Sequence, residues 1–120
     1  MGAQQRKRRN PEAQVQVALC NHLRWRAKPD CFWFAVPNGG RRNAVEASHL
    51  KDQGVRAGVP DLILICGGRT YGLELKSEHG RISEAQEAAQ IEMEIAGATV
   101  ATAYGLDAAL ATLEQWGLMR

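Results

Sequence analysis

The sequence predicts an α/β sandwich, in which helices flank both faces of a central mixed sheet that carries an antiparallel hairpin. The run LILIC at residues 62–66 is short and apolar, and YGLELK at residues 71–76 alternates with a period of two, as strands do. Between them, GGRT at residues 67–70 is turn-forming. Segments with helical apolar spacing precede and follow this hairpin, so the predicted element order is αβαββαβα.

The first half of the chain is predicted to form a helix, a strand and a second helix. Asn10 is a typical N-cap and Pro11 a typical first helical residue, so a helix extends from residue 11 to about residue 26. Its inward stripe consists of Glu12, Val15, Leu19 and Leu23. The apolar segment at residues 31–36 is the first strand, and a short helix from residue 43 to about residue 52 is closed by Gly54.

The second half continues from the hairpin with a helix, a strand and a closing helix. Ser83 begins the first of these helices, and Gly97 separates it from a strand at residues 99–103. The closing helix at residues 107–116 places Leu110 and Leu113 in the core. The predicted inward stripe of the Ser83 helix is Ile82, Ala85, Gln86, Ala89, Met93 and Ala96.

The hairpin brings polar residues to one face of the sheet. The expected turn places Asp61 opposite Lys76, so that Asp61, Glu74 and Lys76 point the same way. Asp61 and Glu74 are then diagonal neighbours about 7–8 Å apart, close enough for their carboxylates to converge on one cation. Leu73 and Leu75 point to the opposite face, into the core.

These residue types suit metal-assisted phosphodiester chemistry. Mg²⁺ and Mn²⁺ prefer carboxylate, carbonyl and water oxygens, which Asp61, Glu74 and the backbone carbonyl of Leu75 supply. Such an ion polarises a phosphodiester and favours hydroxide formation, while Lys76 orients the attacking water or offsets transition-state charge. The alternative is the polar face of a surface hairpin, whose Lys–carboxylate pair has little energetic weight. An Asp followed by Glu-x-Lys does not by itself separate these readings.

The flanking residues extend the pattern over residues 11–103, most of the chain. The combination resembles the PD-(D/E)xK nuclease superfamily and, more narrowly, its VRR-NUC (virus-type replication-repair nuclease) family, in the stand-alone form of phages and bacteria. The matching features are Glu12, the turn Pro37-Asn38-Gly39-Gly40, the motif Gly58-Val59-Pro60-Asp61, Glu74-Leu75-Lys76 and Ser83-Glu84-Ala85-Gln86. Each feature is unspecific alone, but together they are specific.

The resemblance implies a restriction-endonuclease-like fold and a Mg²⁺- or Mn²⁺-dependent DNA endonuclease. It assigns active-site roles to Glu12, Asp61, Glu74, Lys76 and Gln86, with Glu12 a further metal ligand, directly to a second ion or through water. Stand-alone members resemble enzymes that resolve branched DNA such as four-way (Holliday) junctions, and they act as homodimers. Other hypotheses are a non-catalytic junction-binding protein and a metal-dependent phosphohydrolase of a different substrate.

Two of these residues have simpler readings that the sequence leaves open. Glu12 stands in the first turn of its helix, where a carboxylate also stabilises the helix dipole by a few tenths of a kcal/mol. Gln86 completes a Ser-x-x-Gln capping box with Ser83. It can cap the helix and still reach a water in the site.

Basic residues provide candidate DNA contacts at two places. Without the basic run near the start of the chain, the remaining basic residues are outnumbered by the 13 acidic ones. We therefore expect residues 1–10 to form a flexible basic arm, which contacts phosphates or only aids solubility, and residues 11–120 to form one nuclease domain. Arg41 and Arg42 precede a helix start and are better placed. The basic run is Arg6, Lys7, Arg8 and Arg9.

The composition indicates the cellular compartment in which the protein functions. No run of about 18 apolar residues exists in the sequence, which predicts no membrane span, and the basic start is not followed by the apolar stretch of a secretory signal. The three cysteines form no C-x-x-C pair. Free thiols of this kind predict a reducing cytoplasm, that of a bacterium or a phage-infected host cell.

Overall fold

One four-stranded mixed sheet organises the chain, in the order β1-β2-β3-β4. The structure is a computed structural model that describes residues 11–37 and 43–120. Its elements are α1 (Pro11–Arg26), β1 (Cys31–Ala35), α2 (Ala44–Asp52), β2 (Leu62–Cys66), β3 (Arg69–Lys76), α3 (Glu84–Ile95), β4 (Thr99–Tyr104) and α4 (Leu106–Gln115). The predicted element order is confirmed.

The strands β1, β2 and β3 pair antiparallel, whereas β3 and β4 are parallel. A parallel pair needs a long crossover, and α3 provides it. On one face of the sheet, α1 and α4 close a core that contains Leu19 and Leu23 from α1, Leu73 and Leu75 from β3, and Leu113 from α4. The predicted burial of these leucines is therefore confirmed. The opposite face carries α3.

The hairpin register differs from the expected one by two residues. Cys66 pairs with Arg69, so the loop consists of Gly67 and Gly68, and Leu62 pairs with Leu73. Both glycines have positive φ, 59° and 79°. A two-residue hairpin turn of this kind favours glycine at both central positions, so the two adjacent glycines define the turn.

The expected pairing of Asp61 with Lys76 is therefore wrong. Continued by one residue, the observed register sets Asp61 opposite Glu74 rather than diagonal to it. A shift of two residues moves no side chain to the other face, because the side-chain period of a strand is two. Asp61, Glu74 and Lys76 consequently still share a face, and the two carboxylates lie closer than expected.

The predicted inward stripe of α3 is only partly correct. Ala89 is buried and Gln86 and Met93 are half-buried, but Ala85 and Ala96 are exposed, as is Ile82 before the helix. Ala85 is exposed because it lines an open groove between α2 and α3, whereas Ile82 precedes α3 and Ala96 is its C-cap. No helix in the described ranges is long and apolar enough to cross a membrane.

Candidate active site

The Gly58–Asp61 motif begins with a glycine that no other residue can replace without strain. Gly58 has a φ of +84°, a conformation that side chains with a Cβ rarely adopt. A Cβ at this position would also overlap the backbone carbonyl of Ala85 in the first turn of α3. The missing side chain therefore lets the loop before β2 touch the start of α3, which brings Asp61 and Gln86 to the same region.

Pro60 makes the second close contact of the motif. It is fully buried and lies against Gly72 of β3, where a Cβ would come within 2.9 Å of Pro60 Cγ and 3.2 Å of Met93 Cε. A glycine inside a strand often marks such a close approach. Gly72 thus lets the loop, the sheet and α3 pack at one point, immediately beside the polar cluster.

Asp61 is held by both its backbone and its side chain. Its carbonyl accepts a hydrogen bond of 2.8 Å from the amide of Val36, after β1, and its Oδ2 accepts one of 2.8 Å from the amide of Leu75. The second bond satisfies a strand amide with a carboxylate oxygen. Asp61 is therefore fixed against β3 at the residue between Glu74 and Lys76.

Glu74 is the centre of the cluster, with only 2% of its surface exposed. Its Oε2 accepts a hydrogen bond of 2.9 Å from Gln86 Nε2 and lies 3.7 Å from Lys76 Nζ. Its Oε1 is buried and has no hydrogen-bond partner among the described residues. A buried carboxylate oxygen without a partner is costly, unless something binds it.

The surroundings of Glu74 oppose its ionisation. Burial, together with the neighbouring carboxylate of Asp61, raises the pKa of Glu74 from 4.5 to about 8, although the charge of Lys76 acts in the opposite direction. The charge of Glu12 also raises this pKa, so the Glu12 carboxylate lies close enough to Glu74 for electrostatic repulsion. A strongly perturbed carboxyl next to a second carboxyl and a lysine is typical of functional sites.

Gln86 caps α3 and also contacts the cluster. Its Oε1 accepts a hydrogen bond of 2.9 Å from the Ser83 amide and its own amide donates to Ser83 Oγ at 3.1 Å, which completes the capping box. Its Nε2 is then directed at Glu74. The cap therefore orients the side-chain amide toward the carboxylate.

Glu12 stands at the rim of this cluster. A Cβ on Gly80 would lie 3.2 Å from Glu12 Oε1 and 3.3 Å from Lys76 Cδ, so the loop after β3 runs between these two side chains. Gly80 and Gly72 were not predicted to matter. A glycine inside an alternating strand was the available signal for Gly72, whereas Gly80 offered none beyond being a glycine in a loop.

The donor set fits a hard cation. Asp61 and Glu74 present two carboxylates, and Mg²⁺ is commonly held by one or two carboxylates together with water and phosphate oxygens. The unpartnered Glu74 Oε1 is the observation that a cation would explain. Within residues 11–37 and 43–120, no three His, Cys, Asp or Glu side chains gather closely enough to hold an ion by themselves.

All six predicted DNA-binding residues lie outside the described ranges. The turn at residues 38–40 and the capping Asn10 do so as well. The residues of the cluster come from α1, the loop before β2, β3 and α3. The predicted DNA contacts outside these ranges are Arg6, Lys7, Arg8, Arg9, Arg41 and Arg42.

Comparison with known proteins identifies the fold. No protein-family model and no curated protein matches the sequence. A solved structure described as "VRR_NUC domain protein" is similar over 92% of this chain and 92% of its own, at a TM-score of 0.76 and 24% identity. A second, described as "VRR_NUC domain", covers 89% of this chain and 97% of its own, at a TM-score of 0.59 and 17% identity. This chain therefore has the fold of the VRR_NUC domain, as its resemblance to the PD-(D/E)xK nucleases predicted.

Proposed function

We propose that this protein is a Mg²⁺- or Mn²⁺-dependent nuclease that hydrolyses phosphodiester bonds in DNA. The observation that carries the proposal is the buried, unpartnered Oε1 of Glu74 beside Asp61 and Lys76. The fold shared with VRR_NUC domain proteins supports it. A purely structural hairpin gains nothing from burying a carboxylate in this way.

The roles of the side chains follow from their contacts. Asp61 and Glu74 would hold the ion together with the Leu75 carbonyl, and Glu12 would act from the rim, directly or through water. The bound ion would polarise the phosphodiester and lower the pKa of a coordinated water. The Leu75 amide fixes Asp61 and Gln86 fixes Glu74, so both ligands are oriented before substrate arrives.

Lys76 supplies a cation at the centre of the site. Its side chain is 10% exposed and its Nζ lies 3.7 Å from Glu74 Oε2. A buried ammonium in this place would orient the attacking water or offset the charge that develops on the phosphate oxygens. The methylene stem of Lys76 lies against Gly80, where an added Cβ would come within 3.3 Å of Lys76 Cδ.

We further propose that the protein is a homodimer that acts on branched DNA such as four-way junctions. Phe32 and Phe34 are 66% and 40% exposed on β1, one of the two edge strands of the sheet. Exposed aromatic residues on an outermost strand are a frequent interface between copies. The three cysteines, all within the described residues, are free thiols and support the proposed reducing cytoplasm.

A cleavage assay tests this function. Wild-type protein with Mn²⁺ should cut a plasmid or a four-way junction, and EDTA should abolish the cleavage. Glu74→Gln should also abolish it, whereas Glu94→Gln, the same change at an exposed position of α3, should not. Binding of the junction without cleavage at any divalent-cation concentration would identify a binding protein instead. Cleavage confined to small phosphate esters would identify a different phosphohydrolase.

Light scattering tests the assembly. The dimer should have about twice the mass of the 13.2 kDa chain. Phe32→Lys should reduce it to a monomer, because it places a charge in the apolar interface. A wild-type monomer at micromolar concentration would contradict the dimer.

A further inference from the structure

A groove between α2 and α3 opens next to the carboxylate cluster and encloses about 940 Å³. No side chain of α2, all of whose residues are described, is buried. Leu50 and Ala47 of α2 form one wall, and Ala88 of α3 forms part of the other. A helix that stands apart from the body leaves apolar walls in water, a condition that an occupant would relieve.

The charge of the groove favours an anionic occupant. Among the described residues that line it, Lys51 and Arg56 are cationic and none is acidic. Arg56 also forms an ion pair of 2.7 Å with Glu92, and both side chains are more than half exposed. An exposed pair of this kind is weak, so a phosphate can compete for the guanidinium. Lys51 and Arg56 therefore offer two positions for phosphates at the rim.

The groove adjoins the candidate active site. Gln86 lines the groove and also donates to Glu74. Gly58 and Val59 line it from the other side, and the chain continues from them to Asp61. A chain-like ligand that lies in the groove therefore has one end at the carboxylates.

We infer that this groove binds a single unpaired strand of the nucleic acid substrate, adjacent to the phosphodiester that is cut. The inference rests on the proposed function and narrows the branched substrate to DNA that has an unpaired strand at the branch. A space of 940 Å³ suits about one or two nucleotides, since pockets of about 300–1,000 Å³ hold ligands of that size. A duplex needs room for two paired strands, which a space for one or two nucleotides does not provide.

The lining also predicts how the strand is bound. Phosphates contact Lys51 and Arg56, while bases lie against the apolar side chains of Leu50 and Val55. No aromatic side chain is present among the described lining residues, so base stacking does not contribute and binding is moderate. The groove presents few polar groups to base edges, so the sequence of the strand is not read.

Binding measurements in EDTA separate the groove from the chemistry. Fluorescence anisotropy of the full chain is recorded with a labelled single-stranded oligonucleotide and with a blunt duplex. Ala47→Trp fills the groove from an exposed position. It should lower the affinity for the single strand by about tenfold or more and change the affinity for the duplex by no more than about twofold. Ser48→Trp, at an exposed neighbouring position that does not line the groove, should change neither.

A salt titration tests the phosphate contact. Lys51→Gln should reduce the slope of log K against log salt by about 0.7 for the single strand, as expected when one phosphate contact is lost. Lys28→Gln, at an exposed lysine outside the groove, removes the same charge and should leave the slope unchanged. An unchanged single-strand affinity in Ala47→Trp overturns the inference, and so does an equal loss for both DNA forms.

Three further outcomes distinguish this inference from related hypotheses. A change in the light-scattering mass of Ala47→Trp would show that a second copy occupies the groove, and would overturn the inference. Groove-dependent binding by a protein that cuts nothing in Mn²⁺ would refute the proposed nuclease but leave the binding site. If Ala47→Trp cleaved flapped and blunt DNA at wild-type rates, the role of the groove in substrate binding would be refuted, but the proposed nuclease function would not.

Discussion

Gln86 donates its side-chain amide to Glu74 Oε2 at 2.9 Å, so the cap of α3 also positions the central carboxylate of the site. The other end of the same amide accepts from Ser83. Only one orientation of the amide satisfies both partners, because its oxygen must face the backbone amide and its nitrogen the carboxylate. Helix start and active site are thereby coupled through a single side chain.

Replacing Gln86 by Glu separates these two roles. A glutamate at this position still completes a capping box, so the thermal midpoint should change little. The donor to Glu74 becomes a carboxylate, so cleavage should fall by about tenfold or more through lost orientation and added repulsion. Calorimetric melting and cleavage rates, measured on the same preparation, check this. A large loss of stability with unchanged specific activity would mean that Gln86 only caps.

Asp61→Asn tests the ligand role without disturbing β3. The amide oxygen can still accept from the Leu75 amide, which Asp61→Ala would leave buried and unpaired at a cost of about 1–3 kcal/mol. Cleavage should be abolished and Mn²⁺ binding weakened, which isothermal calorimetry measures directly. A variant that cuts at the wild-type rate would remove Asp61 from the site.

The raised pKa of Glu74 predicts a distinct pH dependence. Without a cation, the folded chain keeps Glu74 protonated between its ordinary pKa of 4.5 and about 8, so the free energy of unfolding falls as pH rises through that window. Cation binding requires the carboxylate, so Mn²⁺ should bind more tightly as pH rises to about 8 and should displace a proton at lower pH.

Glu74→Gln provides the control for both effects, because it keeps the size of the side chain but cannot titrate. Denaturant unfolding at the two ends of the pH window should show the decline in wild type and a flatter profile in the variant. Calorimetry in buffers of different ionisation enthalpy should detect the displaced proton in wild type. A wild-type profile as flat as that of the variant would show that Glu74 titrates normally.

Gly58→Ala tests the contact between the motif and α3. Its matched control is Gly54→Ala, where φ is +94° but no atom lies within 4 Å of the new Cβ. Both variants bear the cost of a left-handed backbone, about 1–2 kcal/mol, and Gly58→Ala must also displace α3. Gly58→Ala should therefore be the less stable of the two and should lose cleavage, whereas Gly54→Ala keeps it. Equal melting temperatures would contradict the close approach.

Lys76→Ala should lower kcat by roughly 10²-fold or more while Mn²⁺ binding is retained, since an oriented cation is removed but no ligand is lost. Lys76→Arg should not restore the rate. A planar guanidinium cannot occupy the space of a compact ammonium between Gly80 and Glu74. Full activity in either variant would exclude Lys76 from the chemistry.

The residues predicted for the centre of the site come together because their pattern depends on strand periodicity. Asp61, Glu74 and Lys76 share a face for any even shift in register, so that conclusion survived an error of two residues. The error itself arose at the turn. Gly67 and Gly68 both adopt positive φ and form the two-residue loop, which is centred closer to β2 than the expected turn. Apolar alternation carries no information about which pair of turn residues is central.

The groove and the glycine contacts were not predictable in the same way. They depend on how closely α3 approaches Gly58 and Gly72, and a distance between elements far apart in sequence leaves no periodic trace. The exposure of α2 likewise reflects tertiary placement, since the helix itself was correctly expected from the sequence. Only the glycine inside β3 hinted at a close neighbour.

The burial of Glu74 has a practical consequence for anyone who engineers this protein. Without a cation, a neutral side chain at position 74 would fit the same cavity without the desolvation of a carboxylate. Directed evolution for heat resistance in chelating buffer would therefore enrich replacements at this position, and its most robust survivors would be inactive. Selection should instead be carried out with Mn²⁺ present, so that retention of the carboxylate is rewarded.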